Sequence, residues 1–106
     1  MNVSVVLPSF NRARLLPITI PTYFQEDVSE VILVDDCSSD NTAEVVKELQ
    51  TRFPTLRYFR NEVNSKQPYT QNVAISKVQS EYIYFGDDDS VLYPGSIRNL
   101  LNVMRE

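Results

Sequence analysis

Two runs dominate the hydrophobic pattern of this chain: "VSVVLP" (Val3–Pro8) and "EVILVDD" (Glu30–Asp36). Both are continuous and rich in β-branched residues, the pattern of strands buried on two faces. "LRYFRN" (Leu56–Asn61) is shorter and more amphipathic, and "EYIYFGD" (Glu81–Asp87) is a fourth run whose stretch Tyr82–Phe85 reads as core. Between them the apolar period changes to that of helices. In "NTAEVVKELQTRF" (Asn41–Phe53), Val45, Val46, Leu49 and Phe53 share one face while Glu44, Lys47 and Glu48 lie outside it. Asp40 or Asn41 is placed to cap that helix, Asn41 with Glu44 has the form of a capping box, and Pro54 ends it. "YTQNVAISKV" (Tyr69–Val78) follows Pro68, and "PGSIRNLLNVMRE" (Pro94–Glu106) carries Ile97, Leu100, Leu101 and Met104 as an apolar stripe. "RARLLPITIPTYFQE" (residues 12–26) predicts a kinked or interrupted helix, because Pro21 falls inside it.

Strand and helix thus alternate along the chain, which predicts an α/β fold: a Rossmann-like parallel sheet flanked by helices, with right-handed crossovers. The last helical pattern still runs at Glu106 with neither a glycine cap nor a trailing proline, as expected of a chain that continues.

With 106 residues the chain is at most one domain, expected to span 1–106. Acidic residues outnumber basic ones by 14 to 10 and no basic stripe is present, which argues against nucleic acid as partner. The single cysteine, Cys37, excludes an internal disulfide, and no stretch approaches the ~20 apolar residues of a membrane span. A cytoplasmic protein is expected. Only two glycines are present, Gly86 and Gly95, so no phosphate-cradling glycine loop can be assembled. The absence of histidine excludes Ser-His-Asp and Cys-His catalysis and His-ligated zinc.

In a parallel α/β sheet, ligands bind outside the carboxyl ends of the strands. Here those ends read "PSFN", "DDCSSD" and "DDDS", which brings Asp35, Asp36, Asp40, Asp87, Asp88 and Asp89 to one rim. Two carboxylates roughly 7 Å apart repel by about 2–3 kcal/mol at an effective dielectric near 20. A hard divalent cation, Mn²⁺ or Mg²⁺, together with a diphosphate would neutralise the triplet. A solvated acidic loop, or Asp89 capping the last helix, is the structural alternative. Asp40 and Thr42 fit a turn leading into a capped helix. Asp35 or Asp36 could accept a hydrogen bond from a base N–H or a ribose hydroxyl, and Gly86 would let the backbone pass close to a ligand. Arg12, Arg14, Arg60 and Lys66 are the cations available to phosphate.

"VSVVLPSFNR", "VILVDDCSSDNT", "YFRNEVN" and "EYIYFGDDDS", in this order and spacing, resemble the N-terminal half of the family 2 glycosyltransferases, which have the GT-A fold. The resemblance implies metal-dependent transfer of a sugar from a nucleotide-diphospho-sugar, most commonly a UDP-sugar, to an acceptor hydroxyl on a saccharide or a lipid-linked molecule. It implies that Pro8, Ser9 and Phe10 line the base pocket and that Asp36, with Asp35 beside it, holds base or ribose. Asp87, Asp88 and Asp89 would be the DxD element, Asp88 toward ribose or sugar and Asp89 on the metal. The family's general base lies further along, so it is expected beyond Glu106 and this piece is expected to bind donor without transferring. "NSKQPYTQNVA" (Asn64–Ala74) departs from the family's N-x-G-x-x-x-A-R-N-x-G: Lys66, Thr70, Gln71 and Ala74 stand where Gly, Ala, Arg and Gly are usual. Rival readings are a donor-binding module without catalysis and a receiver-type signalling domain. The receiver pattern places its acidic groups after the first and third strands, not the second and fourth.

Overall fold

A computed structural model describes residues 2–63, 72 and 75–104. Four strands, β1 (Val3–Ser9), β2 (Val28–Asp35), β3 (Leu56–Arg60) and β4 (Tyr82–Phe85), form one sheet in the order β3-β2-β1-β4. Every neighbouring pair is parallel. Three helices are described: α1 (Leu16–Tyr23), α2 (Thr42–Arg52) and α3 (Ser96–Met104). Most of the helix expected over Tyr69–Val78 lies outside the described residues, although Asn72, Ile75 and Ser76 are helical.

The two central strands carry the β-branched runs, and β1 is buried at every position. Alternation along them sorts the core by face. Val5, Leu7, Val31 and Leu33 pack with Leu16, Ile20 and Tyr23 of α1 and with Val46 and Leu49 of α2. Val6, Ile32 and Val34 point to the opposite face, against Phe59 and Val78. At the other end of the strands, Val3 meets Ile97 and Leu101 of α3.

Three local expectations are corrected. β4 is not core throughout: Tyr82 and Tyr84 are half-buried, but Ile83 and Phe85 are 38% and 50% exposed. It is one of the two edge strands of the described sheet, and the described helices pack on its tyrosine side. The 12–26 region holds one continuous helix despite Pro21, which falls in its last turn, so the missing proline N–H removes a single bond near the end. No capping box forms at α2, since Asn41 makes no side-chain cap bond. Asp40 does that work: its carboxylate accepts the Thr42 N–H at 3.1 Å and the Thr42 hydroxyl, while its other oxygen accepts the Ala13 N–H at 3.1 Å.

Register decides what gathers at the carboxyl edge. Ser9, Asp35 and Arg60 end their strands side by side, through the pairs Ser9–Asp35 and Asp35–Arg60. β4 stops earlier, with Phe85 opposite Val6. Gly86 extends the ladder by one bond, its N–H donating to the Val6 carbonyl at 2.9 Å. The following aspartates therefore run past the last residues of β1. Because β2 and β4 lie on opposite sides of β1, the chain reverses its winding there, and a crevice opens at that switch point.

Candidate functional site

A cavity of about 470 Å³ occupies this crevice, lined by Pro8, Ser9, Phe10, Asn11, Arg12, Asp36 and Asp88. Its floor is the end of β1 and the loop that leads into α1. Asn11 adopts a positive φ of 52°, a conformation that asparagine tolerates better than most residues. Its N–H donates to the Ser38 hydroxyl at 2.9 Å, and its side-chain oxygen accepts the Ser39 N–H at 2.8 Å. The loops after β1 and β2 are thereby fixed to each other.

The two aspartates that end β2 have different fates. Asp36 forms a wall of the cavity, its N–H donating to the Ser9 carbonyl at 2.8 Å. One of its carboxylate oxygens accepts the Asn61 amide at 3.0 Å. Asp35 is fully buried and turns inward, away from the cavity. One oxygen accepts the Ser38 N–H and hydroxyl, and the other accepts the Tyr58 hydroxyl and the Arg60 guanidinium at 3.1 Å. Arg60 also donates to the Ser38 carbonyl at 2.9 Å. A buried carboxylate needs such partners, so Asp35 is the brace of the β2 turn and not a wall of the cavity. Arg60, a candidate phosphate cation from sequence, is engaged in the same brace. Burial, followed by the bond to Asp35, pushes the Tyr58 phenol up to about 12.

The opposite wall is the acidic segment. Asp88 accepts the Phe10 N–H at 3.3 Å and is only 16% exposed, whereas the Asp89 side chain is 50% exposed. Burial raises the Asp88 pKa, outweighing the Phe10 N–H, Ser9 and Arg12, which favour the charged form. The Ser9 hydroxyl faces this carboxylate, yet it is buried without hydrogen-bonding geometry to any partner. The hydroxyl and the carboxylate thus face each other at the foot of the cavity, and Ser9 favours the charged form of Asp88. Arg12 stands over the pair, 3.7 Å from Asp88 and 4.0 Å from Asp89.

Two residues that pattern reasoning missed hold this segment from below. The Tyr23 hydroxyl bonds both the carbonyl and the N–H of Asp87, each at 3.1 Å, and the Thr19 hydroxyl donates to the Asp88 carbonyl at 3.1 Å. Gly86 also has a reason in the packing. A Cβ there would lie 2.6 Å from Leu7 and 2.7 Å from the Tyr23 ring, so the missing side chain makes room for the core.

The six aspartates do not form a cage. Among the described residues no three carboxylate or thiol side chains gather closely enough to hold a metal ion. Asp35 and Asp40 are consumed by the turn, and Asp36 stands on the wall opposite Asp88. Asp87, exposed and held through its backbone by Tyr23, is not part of the cavity lining, which leaves Asp88 and the more open Asp89. Asp88 lines the cavity and Asp89 lies outside its lining, and both are hard oxygen donors of the kind that suit a divalent cation bringing its other ligands, water or phosphate oxygens, with it. Cys37 is half-buried, donates to the Glu62 carbonyl at 3.4 Å and has no part in the cavity. Of the divergent stretch Asn64–Ala74, only Asn72 falls within the described residues.

The model of the family described as glycosyl transferase family 2 matches residues 4–106. The chain belongs to that family. Among family 2 relatives, a GalNAc(5)-diNAcBac-PP-undecaprenol beta-1,3-glucosyltransferase of Campylobacter jejuni is 34% identical over 98% of this chain and 35% of its own length. The poly(ribitol-phosphate) beta-N-acetylglucosaminyltransferase TarP of Staphylococcus aureus is 32% identical, over 98% of this chain and 33% of its own. The chain thus spans about a third of the length of the curated relatives it matches. Among solved structures, S. aureus TarS in complex with UDP-GlcNAc superimposes with a TM-score of 0.86 at 25% identity, covering 99% of this chain and 31% of that one. The mannosyltransferase PcManGT of Pyrobaculum calidifontis, solved with GDP-Man and Mn²⁺, reaches 0.91 at 21% identity over 99% of this chain and 32% of its own. The fold is that of the GT-A glycosyltransferases.

Proposed function

We propose that this chain is the donor-binding part of a glycosyltransferase and takes a nucleotide-diphospho-sugar, a UDP-sugar first, with Mn²⁺ or Mg²⁺. The observation that carries the reading is the crevice at the carboxyl end of β1, where Asp36, after β2, forms one wall and Asp88, after β4 and fixed on the Phe10 N–H, forms the other. The family relationship and the UDP-GlcNAc held by TarS support the choice of ligand.

In this reading Pro8 and Phe10 supply apolar surface to the base, and Phe10, 42% exposed, has a free ring face to offer. Asp36 accepts a base N–H or a ribose hydroxyl through the carboxylate that Asn61 orients. Ser9 lines the pocket beneath the base with Pro8 and Phe10. Asp88 faces the ribose or sugar, and Asp89 holds the metal. The metal, when bound, offsets negative charge on the departing nucleoside diphosphate. The chain spans about a third of its relatives' length, and the acceptor, a saccharide or lipid-linked hydroxyl, and the general base that activates it are assigned to the part of such a protein that these residues do not cover. Donor binding without transfer is therefore the activity assigned to these 106 residues.

Calorimetric titration with UDP, UDP-GlcNAc and GDP, each with and without Mn²⁺, tests the assignment. UDP binding is expected to require the metal and to weaken at least about tenfold in Asp89→Ala. Binding indifferent both to Mn²⁺ and to that substitution overturns the metal–diphosphate reading.

A further inference from the structure

Resting on the donor-site reading above, we infer that Arg12 is an internal counter-cation: it holds the Asp88–Asp89 pair until a divalent cation arrives, yields the pair to it, and passes to the diphosphate. The triplet at the end of β4 poses a charge problem before any ligand arrives. Arg12 answers it in part, with its guanidinium 3.7 Å from Asp88 and 4.0 Å from Asp89. Both separations exceed hydrogen-bonding distance, and the Arg12 side chain is 44% exposed. The attraction is thus one of charge at long reach, the kind that a better cation displaces easily.

The backbone beneath Arg12 is, by contrast, fixed. Its carbonyl accepts the N–H groups of Leu15 and Leu16 at 2.9 and 3.1 Å. On either side, Asn11 is tied to Ser38 and Ser39, and the Ala13 N–H donates to Asp40. Only the side chain is free to swing, and its root stays in the cavity wall beside Asp88.

Charge counting gives the direction of the exchange. Two ionised carboxylates and one guanidinium leave a net single negative charge, whereas a divalent cation in its place cancels both. The guanidinium so released stands at the mouth of the cavity as the negative diphosphate enters. Its planar fork matches phosphate oxygens in a way that a carboxylate pair spread over two residues does not demand. Metal and nucleotide then bind cooperatively: each is opposed by Arg12 or by the aspartates when alone, and both are accommodated together. Such coupling is reciprocal between the two ligands.

The test uses the 106-residue chain and measures Mn²⁺ alone by electron paramagnetic resonance of the free ion and UDP by calorimetry at saturating Mn²⁺. Arg12→Gln is expected to bind Mn²⁺ alone about threefold tighter than wild type. Its affinity for UDP with Mn²⁺ is expected to fall about tenfold. Arg12→Lys keeps the point charge but not the fork, so it is expected to match wild type for Mn²⁺ alone and to lose part of the UDP affinity. Thermal unfolding confirms that the variants fold. An Arg12→Gln protein that binds Mn²⁺ alone no more tightly, or UDP no more weakly, overturns the exchange while wild-type binding leaves the donor site standing. Failure of the wild-type chain to bind Mn²⁺ with UDP overturns both.

Discussion

The phenol of Tyr23 grips the backbone of Asp87 from both sides, donating to its carbonyl and accepting its N–H at 3.1 Å each. A residue of α1 thus fixes the entry to the acidic segment, and its ring closes the core under Gly86. The phenol's pKa is raised, chiefly by burial, which keeps it protonated and able to donate. Tyr23→Phe removes both bonds and leaves two backbone groups in a partly buried position. A loss of about 1–3 kcal/mol in urea denaturation is expected. UDP–Mn²⁺ affinity should fall several-fold in the same protein, because Asp88 and Asp89 follow directly on the loosened residue.

Gly86→Ala tests the same joint from the other direction. Its Cβ would meet the Leu7 side chain at 2.6 Å and the Tyr23 ring at 2.7 and 2.9 Å. Neither neighbour has room to retreat, since both are buried in the main core. Overpacking of this kind costs about 1–3 kcal/mol. A melting temperature equal to that of wild type would show that the contact is relieved without strain.

Much of this arrangement was legible in the chain, for reasons that also mark where legibility stops. β1 and β2 declare themselves because a strand covered on both faces needs an unbroken apolar run. β4 misleads because its exposed positions, Ile83 and Phe85, are as apolar as its half-buried tyrosines, so no alternation betrays the open side. The carboxyl-edge motifs locate the site, but neighbouring carboxylates cannot be told apart from sequence. Asp35 turns inward because Tyr58 and Arg60 of β3 wait for it, and Asp36 faces the cavity because Asp35 does not. The Tyr23–Asp87 pair joins residues far apart in the chain, within a segment whose prolines drew attention to backbone and not to side chains. Arg12 was visible as a cation, but its carboxylate partners became visible only with the packing of β4 beside β1.

Away from the site, Glu30 is buried in β2 and bonded on both oxygens. One accepts the Ser4 hydroxyl and the Gln79 N–H, and the other accepts Arg57 at 2.8 Å. Burial alone would raise its pKa, but the bonds from Ser4, Arg57 and Gln79 prevail and hold it below the ordinary 4.5. A depressed carboxylate contributes stability that is present above the unfolded value and lost as pH falls through the folded one. Glu30→Ala is expected to cost about 2–4 kcal/mol at neutral pH. The gap between variant and wild type should stay constant above the ordinary 4.5 and narrow below it, as followed by urea denaturation across the acid range.

At the alkaline end Tyr58 sets the opposite dependence. Its phenol donates to the buried Asp35, and burial with that bond lifts its pKa from 10.0 to about 12. In the window between those values the folded protein keeps a proton that the unfolded chain has released, so stability falls as pH rises through it. Tyr58→Phe removes this dependence and also the bond to Asp35, which retains Arg60 and Ser38. The variant should be less stable than wild type by about 1–2 kcal/mol near neutrality. Its alkaline slope should be shallower but not flat, because Tyr23, also raised by burial, still titrates in the same direction. Equal slopes for the two proteins in urea denaturation above pH 10 would mean that Tyr58 is not held protonated by burial and the bond to Asp35.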